Sequence, residues 1–307
     1  MSRAETQSLL SPCVLVVKTP VVAREGVVER LGRTGRSLGR EVTSAAREQE
    51  LTLAAVHQAL ADLGVAPVVI SIDSLDEQAR RLIGGARLLV TVGGDGTLLS
   101  ASHWVTGAAV LGVNSAPRSS VGYLALARRA TVARILKRIE RGTLLPKPVA
   151  RLEAELDGQV LPPALNDVLV AHERPAATSR YQLRLGRQRA KHRSSGLWVS
   201  TATGSTAGIR SAGGRPMALT ARRLQFRARE LYRPYGQDVA LESGFVPEDG
   251  ELVVESAMEA GWLFPDGTRL AVPFPFGARA TFRLAEQPLL LFADPERWLS
   301  SAARPSS

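Results

Sequence analysis

The stretch ARLLVTVGGDGTLL, residues 86–99, decides the fold class. Its first half is a run of apolar residues, which is typical of a strand buried on both faces. That run leads directly into a glycine-rich segment, Gly93-Gly94-Asp95-Gly96-Thr97. Glycines let the backbone approach a bulky anion, and successive free N–H groups form a phosphate cradle. The stretch therefore predicts a parallel α/β sheet with a phosphate site where a strand ends and a helix begins.

Apolar runs alternate with helical spacings along the first half of the chain. The predicted strands are residues 13–19, 66–72, 86–92 and 108–113, and the predicted helices are Glu48 to Leu63 and Ser74 to Leu82. The second helix is expected to be capped by Ser74, with acidic residues in its first turn. Residues 31–47, rich in Arg and Gly, are expected to form a solvated loop or a frayed helix. Strands separated by helices predict a doubly wound, Rossmann-like parallel sheet.

The pattern changes near Pro146, after which polar and apolar residues alternate. RLEAELDGQVLP, residues 151–162, predicts a hairpin around Asp157-Gly158, and the alternation in LQFRARELY, residues 224–232, favours a strand over a helix. The second half is therefore expected to be mainly β and sandwich-like. PLLLF, residues 288–292, is too apolar to stay exposed and is expected to return to the first sheet. The expected domains are an α/β domain of residues 1–146 with 286–307, and a β-rich domain of residues 147–285.

Composition limits the classes of partner. The chain has 39 basic and 29 acidic residues, and only four of the basic ones are lysines. This arginine bias suits either a polyanionic ligand or a genome that favours arginine codons. Basic residues are not interleaved with aromatics, so nucleic acid is not an expected partner. No apolar run reaches the roughly 18 residues that span a bilayer. The single Cys13 indicates a reducing, cytoplasmic compartment and is expected to be a small core residue.

Asp95 is the acidic residue inside the glycine-rich segment. A carboxylate among phosphates is electrostatically unfavourable, so it is expected to act as a base for a hydroxyl or as an indirect Mg²⁺ partner. The alternative is a tight turn with a solvated aspartate, and GGDGT also occurs in lipid kinases. The chain has neither the GxxxxGK[ST] loop nor a Cys/His cluster, so its four histidines are not expected to bind metal.

Two further segments contain candidate binding residues. Asn166-Asp167, at the head of an apolar strand, places an amide beside a carboxylate, which suits a ribose diol; a simple Asx turn is the alternative. SSGLWVSTATGSTAGIRSAGG, residues 194–214, combines small hydroxyl residues with glycines and has a single charge, Arg210. A ligand could lie against such a backbone, although a flexible linker has a similar composition.

In this order, GGDGTLL, ALNDVLV and GLWVSTATGSTAGIRSAGG resemble the NAD kinase family. The resemblance covers roughly Val14 to Phe292 and is closer to the mitochondrial-type branch, because of LGVNSAPRSSVGYLAL (residues 111–126) and SSGL (residues 194–197). It implies transfer of a phosphoryl group from Mg-ATP, or from polyphosphate, to the adenosine ribose 2′-hydroxyl of NAD. It also implies a homo-oligomer, a dimer or a tetramer.

The resemblance assigns a role to individual residues. Asp95 would take the proton from the 2′-hydroxyl. The substrate-binding residues would be Gly93, Gly94, Gly96, Thr97, Tyr123, Asn166, Asp167, Thr203, Thr206, Ala207 and Ser211. Two positions depart from the family: Ser195 replaces an aspartate and Gly208 replaces an aromatic residue. These departures leave open whether NAD, NADH or another dinucleotide is the acceptor. The alternatives are a GGDGT lipid kinase and a diverged dinucleotide-binding regulator, or a kinase acting on another nucleotide.

Overall fold

The chain consists of two compact units. The structure, a computed structural model, describes residues 8–19, 36–118, 120–234 and 238–294, with only the backbone for residues 36–38. The first unit contains the described residues up to Lys147 together with Leu289–Asp294. The second unit contains Pro148–Pro288. The chain thus leaves the first unit one residue later than expected from the sequence and returns three residues later; residues 295–307 lie outside the described residues.

The first unit alternates strands with helices. Its strands are β1 (Cys13–Val17), β2 (Val68–Ser71), β3 (Leu88–Gly93), β4 (Ala109–Asn114) and the short β5 (Ala127–Arg128). Its helices are α1 (Arg36–Ala61), α2 (Glu77–Gly84), α3 (Asp95–Ser102) and α4 (Val132–Glu140). Strand β6 (Lys147–Val149) spans the boundary between the units.

The sheet of the first unit is parallel, with neighbouring strands in the order β2-β1-β3-β4. Beside β4 lies β19 (Leu289–Leu291), which pairs in parallel through Leu290 with Ala109 and Leu291 with Val110. Every residue of β3 is buried, as its continuous apolar run predicts. The carboxyl ends of β1, β3 and β4 therefore meet at one edge of the sheet, where the glycine-rich segment begins.

One local expectation in this unit had two alternatives, and another was wrong. Of the loop and the helix expected for residues 31–47, the structure shows the helix: residues 36–47 belong to α1, where the buried Ala46 and Gln49 extend the packed face of the helix toward its start; residues 31–35 lie outside the described residues. Helix α2 is capped by Asp76 and not by Ser74: the Asp76 carboxylate accepts the Ala79 N–H at 2.8 Å. The aspartate is the stronger acceptor and also favours the positive end of the helix dipole.

The second unit is built mainly from antiparallel strands. They are β7 (Leu152–Leu156), β8 (Gln159–Val160), β9 (Asp167–His172), β10 (Ser179–Leu185), β11 (Gln188–Ser194), β12 (Gly196–Ser200), β13 (Leu224–Arg229), β14 (Ser243–Val246), β15 (Leu252–Ser256), β16 (Gly261–Pro265), β17 (Val272–Pro273) and β18 (Arg279–Leu284). After β12 come a 3₁₀ turn, Gly204–Thr206, and the short helix α5 (Gly208–Ser211).

These strands form two sheets, ordered β11-β10-β15-β18-β7-β8 and β14-β13-β12-β9-β16-β17. Alternate residues of both sheets share one apolar core, in which Leu183 and Phe282 of the first sheet join Val168 and Phe226 of the second. The hairpin β7–β8 turns at Asp157 (φ 48°) and Gly158 (φ 87°), as the Asp-Gly pair predicts. The expected fold class, a parallel α/β domain followed by a β-rich, sandwich-like domain, is confirmed.

The structure bears on two expectations drawn from composition. None of the helices in the described ranges combines the length and the apolarity needed to cross a membrane. Cys13 is buried in the core of the first unit, where burial raises the pKa of its thiol to about 12. A thiol with so high a pKa is a poor nucleophile at neutral pH, so Cys13 is the small core residue that was expected.

Candidate functional site

The glycine-rich segment forms the junction between β3 and α3. Gly93 ends the strand, Gly94 is the N-cap residue, and the helix begins at Asp95. No side chain fits at Gly93, because an added Cβ would lie 2.2 Å from the Thr97 hydroxyl oxygen. Gly94 has no side chain to cap the helix, and the Thr97 N–H donates to the Gly94 carbonyl at 3.0 Å in the first turn. The segment therefore has the geometry of the predicted phosphate cradle.

Asp95 is held in a defined orientation by the loop that follows β4. Its two carboxylate oxygens accept the backbone N–H groups of Tyr123 and Leu124, at 2.8 and 2.9 Å. That loop is fixed in turn by Asn114, whose amide donates to the Ser120 carbonyl at 2.9 Å, and by Gly122, whose φ of +61° suits glycine. The structure thus brings Asp95 and Tyr123, predicted separately, next to each other.

Lys18 is a cation beside this cradle that the sequence analysis did not single out. Val17 and Val92 are register partners, so Lys18 follows β1 where Gly93 ends β3, and the Lys18 N–H donates to the Val92 carbonyl at 3.0 Å. A Cβ on Gly93 would lie 3.2 Å from the Lys18 Cβ, and the lysine is exposed. The absence of a P-loop motif therefore does not leave the cradle without a nearby lysine. Only the pairing of β1 with β3 reveals this proximity.

Asn166 and Asp167 lie at the start of β9 in the second unit. Asp167 pairs with Ser200 of β12 and is 5% exposed, whereas Asn166 is half-buried. The Asn166 backbone carbonyl accepts from the Thr201 N–H at 2.9 Å. Its side-chain Oδ1 is buried and has no hydrogen-bond partner among the described residues. A buried amide oxygen without a partner is costly, and a hydroxyl donor on a ligand would satisfy it.

The hydroxyl-rich segment packs directly on this pair. Thr201 and Thr203 both donate their hydroxyls to the Leu165 carbonyl, and the two hydroxyl oxygens are 2.7 Å apart. Gly204 is required for this packing, because a Cβ there would lie 2.1 Å from the Asn166 carbonyl oxygen. The segment is therefore a fixed junction and not a flexible linker.

The predicted binding residues of this segment differ in exposure. Thr203 is buried, Thr206 and Ala207 are half-buried, and Ser211 is exposed at the end of α5. Of the four, Thr203 has its hydroxyl engaged with the protein backbone. Thr206, Ala207 and Ser211 are thus the ones whose surfaces remain available to a ligand.

Asp266 also belongs to this site and was missed in the sequence. Its carboxylate accepts the N–H groups of Leu165, Asn166 and Asp167 at 2.7, 2.7 and 3.1 Å, and its own N–H donates to the Asp167 carbonyl at 2.8 Å. Asp266-Gly267 is an Asp-Gly turn after β16, with φ of +50° and +107°. The dipeptide signals a turn, but about 100 residues separate it from Asn166, so its contacts follow only from the pairing of β9 with β16.

The surroundings of Asp167 raise the pKa of its carboxyl group. Burial, and secondly the negative charge of Asp266, raise the pKa of the Asp167 carboxyl to about 8. Near neutral pH the protonated form, which can donate a hydrogen bond, is therefore favoured more than in an ordinary aspartate, whereas the sequence suggested an accepting carboxylate. The accepting form becomes the main one above pH 8.

The two departures from the family have structural explanations. The Ser195 hydroxyl donates to the Glu230 carboxylate, so an acidic group still lies at this position; both residues line a cavity of about 340 Å³ that also includes Arg193 and Tyr232. Gly208 faces the indole of Trp198, whose Cζ2 would lie 2.6 Å from an added Cβ. Trp198 therefore fills the space that a side chain at position 208 would need.

A resident metal site is not evident in either unit. Within the described ranges, no three His, Cys, Asp or Glu side chains are grouped so that they could hold an ion. The carboxylate of the glycine-rich segment, Asp95, is engaged with backbone N–H groups. These residues do not resemble a protein-built Mg²⁺ cage, and Mg²⁺ commonly binds through substrate phosphates with few protein ligands.

Sequence comparisons point in one direction. A family model described as the ATP-NAD kinase N-terminal domain matches residues 15–144. A probable NADH kinase from Oryza sativa subsp. japonica is 34% identical over 239 residues, which cover 70% of this chain and 73% of the rice protein. An NADH kinase from Arabidopsis thaliana is 36% identical over 205 residues, covering 59% of this chain and 62% of that protein.

Solved structures share the fold. An NAD kinase from Archaeoglobus fulgidus in complex with ATP superposes with a TM-score of 0.67 at 21% identity, over 94% of this chain and 96% of that one. Yeast NADH kinase complexed with NADH gives 0.68 at 15% identity, over 94% of this chain and 85% of the other. At these identities the similarity concerns the architecture of the chain.

The family-model match and the relatives show a kinase that phosphorylates a hydroxyl group. The rice relative is more than 30% identical across over two thirds of its own length. The chain belongs to the NAD kinase family. The resemblance drawn from the three motifs is thereby confirmed, and none of the relatives above supports a lipid kinase.

Proposed function

We propose that the chain transfers the γ-phosphoryl group of Mg-ATP to the adenosine ribose 2′-hydroxyl of an NAD-type dinucleotide. The observation that carries this proposal is Asp95, a carboxylate fixed by two backbone N–H groups at the start of α3. Gly93, Gly94, Gly96 and Thr97 would line the phosphate path, and Tyr123 would contact the adenine side. A base held in one orientation at a phosphate cradle is what hydroxyl phosphorylation needs.

In the second unit, we assign the ribose to Asn166 and Asp167. The buried Asn166 Oδ1 would gain a hydroxyl donor, and Asp167 would accept from the diol when ionised. Thr203, Thr206, Ala207 and Ser211 would contact the dinucleotide, Thr203 mainly by holding the backbone in shape. Each of these assignments rests on the local geometry within the second unit.

The reaction is a direct displacement. The 2′-oxygen forms a bond to the γ-phosphorus, the bond from that phosphorus to the β,γ-bridging oxygen breaks, and ADP leaves. Asp95 accepts the hydroxyl proton, a role worth about 10²–10⁴-fold in rate. Mg²⁺ enters as part of the Mg-ATP substrate and neutralises charge on the phosphate oxygens. The N–H groups at the start of α3 and the ammonium group of Lys18 would add to that neutralisation.

Several finer points belong to the proposal. Oxidised and reduced dinucleotides are both candidate acceptors, and polyphosphate is an alternative donor. We place the enzyme in the cytoplasm, where NADP biosynthesis would use it, which fits its single buried cysteine. A homo-oligomer, dimer or tetramer, remains a prediction that sedimentation of the purified protein can check.

A product assay tests the proposed function. Purified protein is incubated with Mg-ATP and, in separate reactions, NAD, NADH or diacylglycerol, and the products are identified by mass. We expect a dinucleotide that gains one phosphate on the adenosine ribose, together with ADP. Tight dinucleotide binding without any phosphorylated product would favour a regulator, and a phosphorylated lipid would favour the lipid kinase.

Lys18 gives a second test of the phosphate cradle. Lys18→Met is expected to lower kcat/KM for ATP by at least about 10-fold, because a cation beside the transferring phosphoryl group is lost. Lys18→Arg should retain most of the activity, since the charge is kept. Lys137→Met, which removes an exposed lysine of α4, is the matched control. Steady-state kinetics that give Lys18→Met the same kcat/KM as this control would exclude the role.

A further inference from the structure

The turn Asp266-Gly267 follows β16, the strand that pairs with β9 in the same sheet, and it lies beside the proposed ribose site at the start of β9. Its aspartate takes three successive backbone N–H groups, those of Leu165, Asn166 and Asp167. Hydrogen bonds from neutral donors to a carboxylate are shorter and stronger than those between neutral groups. Because the Asp266 carboxylate accepts three such hydrogen bonds, it fixes the backbone from which the Asn166 and Asp167 side chains project.

We propose that Asp266 is a positioning residue of the dinucleotide site: it holds Asn166 and Asp167 in the orientation that grips a ribose. This inference rests on the proposed function and assigns Asp266 no contact with substrate. Its backbone φ of +50° lies in the left-handed region, which non-glycine residues adopt infrequently. This uncommon backbone conformation occurs at the residue whose carboxylate bonds to the start of β9. It is consistent with a role for Asp266 in positioning that segment.

The support also brings two acidic groups together. Asp167 faces Ser200 on β12 and Asp266 on the turn after β16, so the charge that acts on it comes from Asp266. Loss of the Asp266 charge would therefore let Asp167 ionise at a lower pH. If the ionised Asp167 accepts the ribose hydroxyls, affinity for the dinucleotide rises as the pH increases through the Asp167 titration. That rise should move to lower pH in Asp266→Asn, and it should vanish in Asp167→Asn.

The test measures NAD binding by calorimetry between pH 6 and pH 9, together with kcat and KM. For Asp266→Asn at pH 9, where Asp167 is mostly ionised in both proteins, we expect a Kd and a KM for NAD raised at least about 10-fold, with kcat changed far less, because asparagine keeps one acceptor oxygen and loses the other. Asp157→Asn is the matched control. It changes another Asp-Gly turn with positive φ, whose carboxylate accepts the Arg279 N–H at 2.8 Å.

A double-mutant cycle separates positioning from direct contact. If Asp266 acts through Asn166 and Asp167, the effect of Asp266→Asn on Kd should largely disappear in a background that carries both Asn166→Ala and Asp167→Asn. Additive effects, or a pH profile of Asp266→Asn that coincides with that of the parent protein, would overturn the inference. If the parent protein binds no NAD at all, the proposed function fails instead, so the two failures are distinguishable.

A measurement on the unaltered protein covers the case in which Asp266→Asn does not fold. Hydrogen exchange of the amides of Leu165, Asn166 and Asp167 should be slow without ligand, because each donates to the Asp266 carboxylate. Exchange as fast as that of an exposed loop, such as the segment around Ala176, would show that the support does not persist in solution.

Discussion

Replacing Asp95 with asparagine is expected to lower kcat by at least about 100-fold while the Kd for NAD changes little. Asparagine has nearly the same shape but cannot take the proton from the attacking hydroxyl. It can still accept one of the N–H groups of Tyr123 and Leu124, so the loop loses one hydrogen bond to a charged group, worth about 1.5–3 kcal/mol. Single-turnover kinetics and calorimetry on the same preparation measure the two quantities separately.

Asp76→Asn is the control for this variant. Asp76 also stands at the start of a helix of the first unit and accepts one backbone N–H, that of Ala79. Asparagine is as good an N-cap residue as aspartate, so this variant should keep both turnover and melting temperature. Near-normal turnover of Asp95→Asn would contradict the assignment of Asp95 as the general base. A loss of activity that parallels a collapse in melting temperature would indicate a structural role for Asp95.

The sequence predicts those parts of the fold that depend on local pattern. The continuous apolar run before Gly93 indicated a parallel strand, and the Asp157-Gly158 pair indicated a hairpin; both are present. The sequence left residues 31–47 open between a loop and a frayed helix, because the arginines and Gly39 hide the buried Ala46 from any periodic pattern. Local propensity is a weak guide when burial of one helix face decides the structure.

The candidate site shows the same division. The glycine-rich segment and the Asn166-Asp167 pair are visible as short motifs, because their chemistry is contained in adjacent residues. Lys18 and Asp266 are not, since each reaches its partners through strand pairing: Lys18 through β1 with β3, and Asp266 through β9 with β16. The raised pKa of Asp167 is invisible in the sequence for a further reason: burial, its main cause, is a property of the folded chain.

Strand β19 provides the second test with a large expected effect. Leu289 and Leu291 are fully buried and Phe292 is 2% exposed, although they follow the entire second unit in sequence. Burying each such side chain contributes about 1.5–3 kcal/mol. Losing all three would therefore remove roughly 5–9 kcal/mol, against a total stability of about 5–15 kcal/mol for a typical protein.

A chain ending at Pro288 is thus expected to be insoluble or inactive, even though every proposed site residue is retained. Ala109 and Val110 of β4 would keep their partners in β3 but lose Leu290 and Leu291 on the other edge, and an unpaired strand edge favours aggregation. A chain ending at Asp294, which keeps the strand, is the matched control and should stay soluble and active. Solubility after expression and thermal melting compare the two. A soluble, active chain ending at Pro288 would show that the first unit is stable without β19. Leu289, Leu291 and Phe292 would then contribute far less to the free energy of unfolding than their burial implies.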